Sequence, residues 1–159
     1  MSRRALAVML SMVAVTALAA ANATEASAGA YGCSGSLVGK WRVPLKDALT
    51  GETYYRSDIK LYYTSRSGWN CAVLAKRPGL ARYGARTPLY IEMYNGRWAE
   101  DNWKNNFDKD QGRFKYYAGP VRVYGRNLCV SIIAKHGDHT GGGSPDYNGQ
   151  RWVSRVACG

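Results

Sequence analysis

The chain has only two histidines, His136 and His139, and half as many acidic as basic side chains, 11 against 22. None of its four cysteines is spaced as C-x-x-C, which argues against a zinc or thioredoxin-like redox site. Neither Cys33-Ser34-Gly35-Ser36 nor Gly143-Ser144-Pro145 makes the nucleophile elbow of a serine hydrolase. No phosphate-cradling glycine loop opens a helix, because Gly141-Gly142-Gly143 runs into Ser144-Pro145. Beyond the N-terminus there is no second long apolar run, so no membrane-spanning segment is expected in the processed chain. What remains is a basic chain with many turns, and no cofactor is expected.

Arg3 and Arg4 precede the uncharged run 5–20, and small-residue patterns follow at Ala21-Asn22-Ala23 and Ala26-Ser27-Ala28. A charged start, a short apolar core and an A-x-A site describe a secretory signal peptide over residues 1–28, with cleavage after Ala23 as the alternative. Cleavage after Ala28 leaves 131 residues, one domain by size, with 20 basic and 10 acidic side chains and a net charge of +10. That balance attracts polyanions without prescribing a fold. Outside the cell these are cell-wall polymers, lipid headgroups and extracellular DNA.

Cys33, Cys71, Cys129 and Cys158 all fall in the processed chain, and an even number in an exported protein favours two disulfides. Three connectivities are open. The preferred one pairs Cys33 with Cys71 and Cys129 with Cys158. Each bridge would then contribute roughly 3.5–4 kcal/mol through loop closure.

Residues 116–133, YYAGPVRVYGRNLCVSII, hold two apolar alternating runs around Gly125-Arg126-Asn127, and they predict a β-hairpin. A second hairpin is expected where Ile59, Leu61 and Tyr63 alternate with polar neighbours and residues 69–76 return after Ser65-Arg66-Ser67-Gly68. Further strands are expected around Leu37–Val43, where Pro44 marks an edge or bend, over residues 89–94 and over 151–157. Residues 77–88, with Pro78, Gly79, Gly84 and Pro88, read as an exposed basic loop. Residues 97–107 suggest a short helix or irregular aromatic segment, and residues 135–150 a long glycine-rich loop. Seven or eight strands with few helical signals predict an all-β fold, a small disulfide-braced antiparallel β-sandwich or partly open barrel.

Ser67-Gly68-x-Asn70-Cys71, the block Tyr117-Ala118-Gly119-Pro120-Val121-x-Val123-Tyr124, the following Cys129-Val130 and the terminal Cys158-Gly159 resemble the spore-associated protein A family. Those are small secreted proteins of filamentous, spore-forming bacteria. The resemblance spans most of residues 31–159 and departs from the pattern at residues 77–88 and 135–144, which look like insertions. It implies an extracellular or spore-surface location, and carries no established activity, catalytic residue or cofactor.

Two sets of residues invite a site reading. His136-Gly137-Asp138-His139 combines imidazoles with a carboxylate, as metal sites and nuclease-like acid–base pairs do. With no third ligand or diagnostic spacing in view, a solvated loop is the simpler expectation. Asn106-x-Asp108-x-Asp110-Gln111-Gly112 has oxygen ligands at alternate positions, yet an EF-hand needs glycine sixth and glutamate twelfth, where this chain has Gln111 and Tyr117. A polar turn is the plainer reading.

Charge patterning gives a further expectation. Residues 59–91 and 111–137 carry basic side chains and no acids, whereas acids gather over residues 92–110. Interleaved Arg and Tyr suggest a ligand surface of Arg77, Arg82, Arg86, Tyr116, Arg122 and Tyr124, suited to an anionic wall or spore-coat polymer. Specific nucleic-acid binding is not expected without a recognised motif. The favoured expectation is a non-enzymatic secreted surface protein. The alternative is a small secreted hydrolase or toxin using His136 and His139.

Overall fold

Period-2 alternation marks several of the described strands, most plainly over residues 87–95. The computed structural model describes residues 30–100, 103–143 and 146–158; the expected signal peptide and the Ser144-Pro145 dipeptide lie outside them. Eight strands form among the described residues: β1 (Ser36–Lys46), β2 (Thr53–Thr64), β3 (Trp69–Lys76), β4 (Thr87–Asn95), β5 (Phe107–Phe114), β6 (Tyr117–Tyr124), β7 (Val130–His136) and β8 (Gly149–Val156). The one α-helix among the described residues, Trp103–Asn106, is a single turn inside the segment expected to be helical or irregular.

All pairings are antiparallel, in the order β5-β4-β7-β8-β1-β2-β3-β6. The β8–β1 junction is slight, with Leu45 opposite Gly149 as its only ladder pair. Two four-stranded halves therefore face each other in a nearly closed barrel, as the all-β expectation held. Pro44 sits at a register shift in β1, where its missing N–H leaves no gap in a regular ladder.

The expected β2–β3 hairpin forms, in register from Ser57 opposite Lys76 to Thr64 opposite Trp69. The expected hairpin over residues 116–133 does not. β6 pairs with β3, and β7 lies between β4 and β8, so the segment around Gly125 carries the chain from one half to the other. Both runs are apolar on their inner faces, and alternation says that a strand has a buried face without saying which neighbour it meets. A second correction concerns residues 106–112. Asn106 ends the helical turn and residues 107–112 form most of β5 rather than a polar turn, with Phe107, Lys109 and Gln111 alternating with Asp108 and Asp110.

The barrel interior is layered. Its middle is apolar, with Val43, Ile59, Leu61, Leu74, Leu89, Ile91, Met93, Val121, Val123 and Ile132 fully buried. Each such side chain contributes about 1.5–3 kcal/mol over leaving it in water. Buried Asn70, Asn95 and Asn106 belong to one end, and Ser57, Lys76, Thr87 and His136 to the other. The cystines Cys33–Cys71 and Cys129–Cys158, in the preferred pairing, attach to the strand ends of the asparagine side.

Candidate functional site

The opposite end, bordered by residues 47–52, 77–86, 137–143 and 146–148, gathers the densest polar network among the described residues. Its floor is made by strand termini. Lys76 ends β3 facing inward and is only 3% exposed. Its ammonium donates to the carbonyls of Ala85 (2.6 Å), Phe114 (2.8 Å) and Arg82 (3.2 Å), so one buried cation fastens the 77–86 loop onto the end of β5. Burial lowers its pKa to about 8, with Asp138 pulling the other way, so the amine stays charged at neutral pH.

His136, which ends β7, is fully buried rather than in a solvated loop. Its Nδ1 lies 2.9 Å from Ser57 Oγ and its Nε2 lies 3.4 Å from Thr87 Oγ1. Burial first, then the charges of Lys76 and Arg56, bring its pKa down to about 4 against the pull of Asp138. The imidazole is neutral at pH 7 and occupied at both nitrogens.

Above this floor lies a cleft of about 360 Å³ lined by Asp47, Tyr54, Arg82, Asp138, His139 and Asn148, among others. Asp138 is its hub. Its carboxylate pairs closely with the Arg56 guanidinium, lies 3.6 Å from Arg82 Nε and accepts from the Tyr54 hydroxyl at 3.1 Å. Asn148 binds the neighbours together, donating to Tyr54 Oη (2.9 Å) and to the Lys46 carbonyl (3.0 Å) and accepting from the Asp138 N–H (3.1 Å). Burial raises the Tyr54 pKa, so its phenol remains a neutral donor. His139 does not meet His136. Its Nε2 lies 2.8 Å from Arg113 Nη2, a guanidinium nitrogen that can only donate.

The 77–86 loop supplies the outer rim. Tyr83 and Tyr116 pack with ring centroids 5.1 Å apart and remain 44% and 47% exposed. Arg77 lies against the Tyr55 carbonyl and Arg86 against that of Arg113, each at 3.4 Å. Arg82 adopts a positive φ of 71° and reaches Asp138, which ties it to the cleft.

The six expected ligand residues thus fall into two groups. Arg77, Arg82, Arg86 and Tyr116 gather at this mouth. Arg122 and Tyr124 lie along β6 toward the cystine end, where Arg122 donates to the Gly32 carbonyl (2.6 Å) and Tyr124 sets its edge against Trp69, 6.0 Å between centroids. Asp108 and Asp110, the calcium-like pair, are used otherwise: they accept from the backbone N–H groups of Arg122 and Gly119, each at 2.7 Å. Among the described residues no three His, Cys, Asp or Glu side chains converge as metal ligands do.

Sequence reasoning missed Tyr54, Arg56, Lys76, Tyr83 and Asn148, which come from β2, β3 and two separate loops. The one available signal was Lys76, a lone charge ending an otherwise buried strand. Comparison with protein-family models, with curated proteins and with solved structures returned no match.

Proposed function

We propose that this is a secreted, spore- or cell-surface-associated protein without enzymatic activity, which adheres to anionic wall or extracellular polymers through the mouth of its barrel. The exposed Tyr83–Tyr116 pair, on a rim that also carries Arg77, Arg86 and Lys115, is the observation that carries this reading. Tyrosine faces offer stacking surfaces to sugar rings, and the guanidinium and ammonium groups attract the anionic substituents between them. The disulfides are compatible with an oxidising, extracellular setting, and among the described residues no helix is long and apolar enough to cross a membrane. The resemblance to the spore-associated protein A family supports the same location.

The hydrolase alternative has less to recommend it. A general base must reach the proton that it removes. His136 is sealed beneath the cleft with both nitrogens engaged, and His139 Nε2 faces Arg113.

Fractionation of the producing organism into medium, wall and spore washes tests the proposal. The protein should be retained on wall or spore material and released as salt is raised, since added ions screen exposed charge pairs beyond ~10 Å at 0.1 M. Recovery in the medium alone, with no salt-reversible binding to purified wall, would refute it.

A further inference from the structure

At the cystine end, remote from the mouth, a cleft of about 320 Å³ opens on the outer face of β2, β3 and β6. Ser34, Thr64, Ser67, Trp69, Cys71 and Arg122 line it. Register explains the set. Val121 and Val123 point into the core, so Arg122 stands outside, opposite Cys71, while Thr64 stands opposite Trp69. Residues 33–35 cross this face as a strap. The Cys33–Cys71 cystine holds it, the Thr64 hydroxyl donates to the Ser34 carbonyl (3.1 Å), and Arg122 donates to the Gly32 carbonyl (2.6 Å). Gly35 has a φ of +96°, and a β-carbon there would collide with the Tyr63 carbonyl, so glycine lets the strap lie close to β2. Trp69 is braced in turn by its edge contact with Tyr124. The walls are set before any ligand arrives.

We propose that this cleft binds an acidic sugar, a hexuronate unit, with its ring against Trp69, its carboxylate on Arg122 and its hydroxyls toward Ser34 and Ser67. Arginine carries five N–H donors in a fork that matches a carboxylate, and the Gly32 carbonyl takes one of them. Among the described residues no carboxylate forms an ion pair with this guanidinium. Asp108 meets the main-chain N–H of Arg122 and not its side chain. An exposed cation with donors to spare thus stands beside an aromatic wall, open to an anion that also has a stacking face.

The make-up of the walls narrows the ligand. A bare anion such as phosphate would engage Arg122 and leave Trp69 idle, whereas a neutral sugar would cover Trp69 and leave the charge unmet. The C–H face of a pyranose covers an indole ring, and its hydroxyls exchange hydrogen bonds with those of serine. The volume lies at the lower end of the ~300–1,000 Å³ of ligand pockets, which suits a sugar unit rather than an extended chain. The site shares no residue with the mouth, so it stands whether or not the rim holds a polymer.

NMR titration of the isotope-labelled, disulfide-bonded protein tests this, with sodium D-glucuronate set against D-glucose and inorganic phosphate at matched pH and ionic strength. Glucuronate should shift the assigned Trp69 indole N–H signal saturably. Glucose and phosphate should each bind about tenfold more weakly or worse, which is the loss of one charge-assisted hydrogen bond or one stacking contact. Arg122→Gln should weaken glucuronate binding by about tenfold while leaving the circular dichroism unchanged. Absence of saturable shifts overturns the proposal, as does equal binding of either control, shifts confined to the mouth, or a folded Arg122→Gln variant that binds as tightly as the parent. Should that variant fail to fold, the three-ligand comparison on the unaltered protein decides alone.

Discussion

The carboxylate of Asp110 accepts a hydrogen bond from the backbone N–H of Gly119 at 2.7 Å, and so joins two strands, β5 and β6, that share no ladder. Asp108 does the same for the Arg122 N–H. Side chains stand in for main-chain carbonyls along this seam. The φ of Gly119 is +97°, and a β-carbon there would lie 2.9 Å from the Ala72 carbonyl oxygen, so the position requires glycine.

Asp110→Ala leaves the Gly119 N–H without its acceptor. Removing a charge-assisted bond of this kind should lower stability by about 1–3 kcal/mol. Urea denaturation followed by tryptophan fluorescence measures it. Asp108→Ala should cost less, because its bond to Arg122 is exposed to competing water.

His136 makes the fold acid-sensitive. Its folded pKa of about 4 lies below the ordinary 6.5, so unfolding takes up a proton between those values. Its contribution to stability is complete above pH 6.5 and is lost as pH falls toward 4, by roughly 3 kcal/mol in full. Denaturation midpoints measured from pH 7 down to pH 4 should fall in this window. His136→Gln should flatten the slope there.

Lys76→Met should loosen the mouth. Methionine fills similar space but leaves the carbonyls of Arg82, Ala85 and Phe114 without the ammonium that they share. We expect about 1–3 kcal/mol of lost stability and faster tryptic cleavage after Arg82 and Arg86. Timed digestion with mass spectrometry of the fragments reads both sites. Unchanged cleavage would mean that the loop is held by other contacts.

Tyr83→Ala combined with Tyr116→Ala should weaken retention on purified wall polymer by about tenfold, taking about 0.5–1 kcal/mol for each exposed aromatic contact. Because both rings are nearly half exposed, the melting temperature should barely move. Cosedimentation at low and high salt distinguishes this loss of stacking from a loss of charge.

How far could these features be read beforehand? Strands with branched or aromatic residues on one face declared themselves, as Ile59, Leu61 and Tyr63 did in β2. The cystine pairing was the preferred one of three. β5 was hidden because Asp108, Lys109, Asp110 and Gln111 have little strand propensity, and the strand is held partly by what its aspartates accept. Neighbour choice was also hidden. Val121 and Val123 in β6, and Val130 and Ile132 in β7, carry the same inward pattern, and nothing local says that they serve different halves. At the mouth, Asp138 was visible only within a histidine motif. Its partners Tyr54 and Arg56 lie more than eighty residues away in sequence.

The strand order carries a consequence for biogenesis. β3 awaits β6, and β4 lies beside β7, so each half is woven from distant stretches of chain. A polypeptide emerging N-terminus first can lay down the β1–β2–β3 meander early, yet its open edge is covered only once residues 117–124 arrive. β8, with Cys158 just beyond it, comes last of all. Pairings of such long range form slowly. The barrel would therefore close late, and the Cys129–Cys158 cystine would brace a shape that its last strand completes.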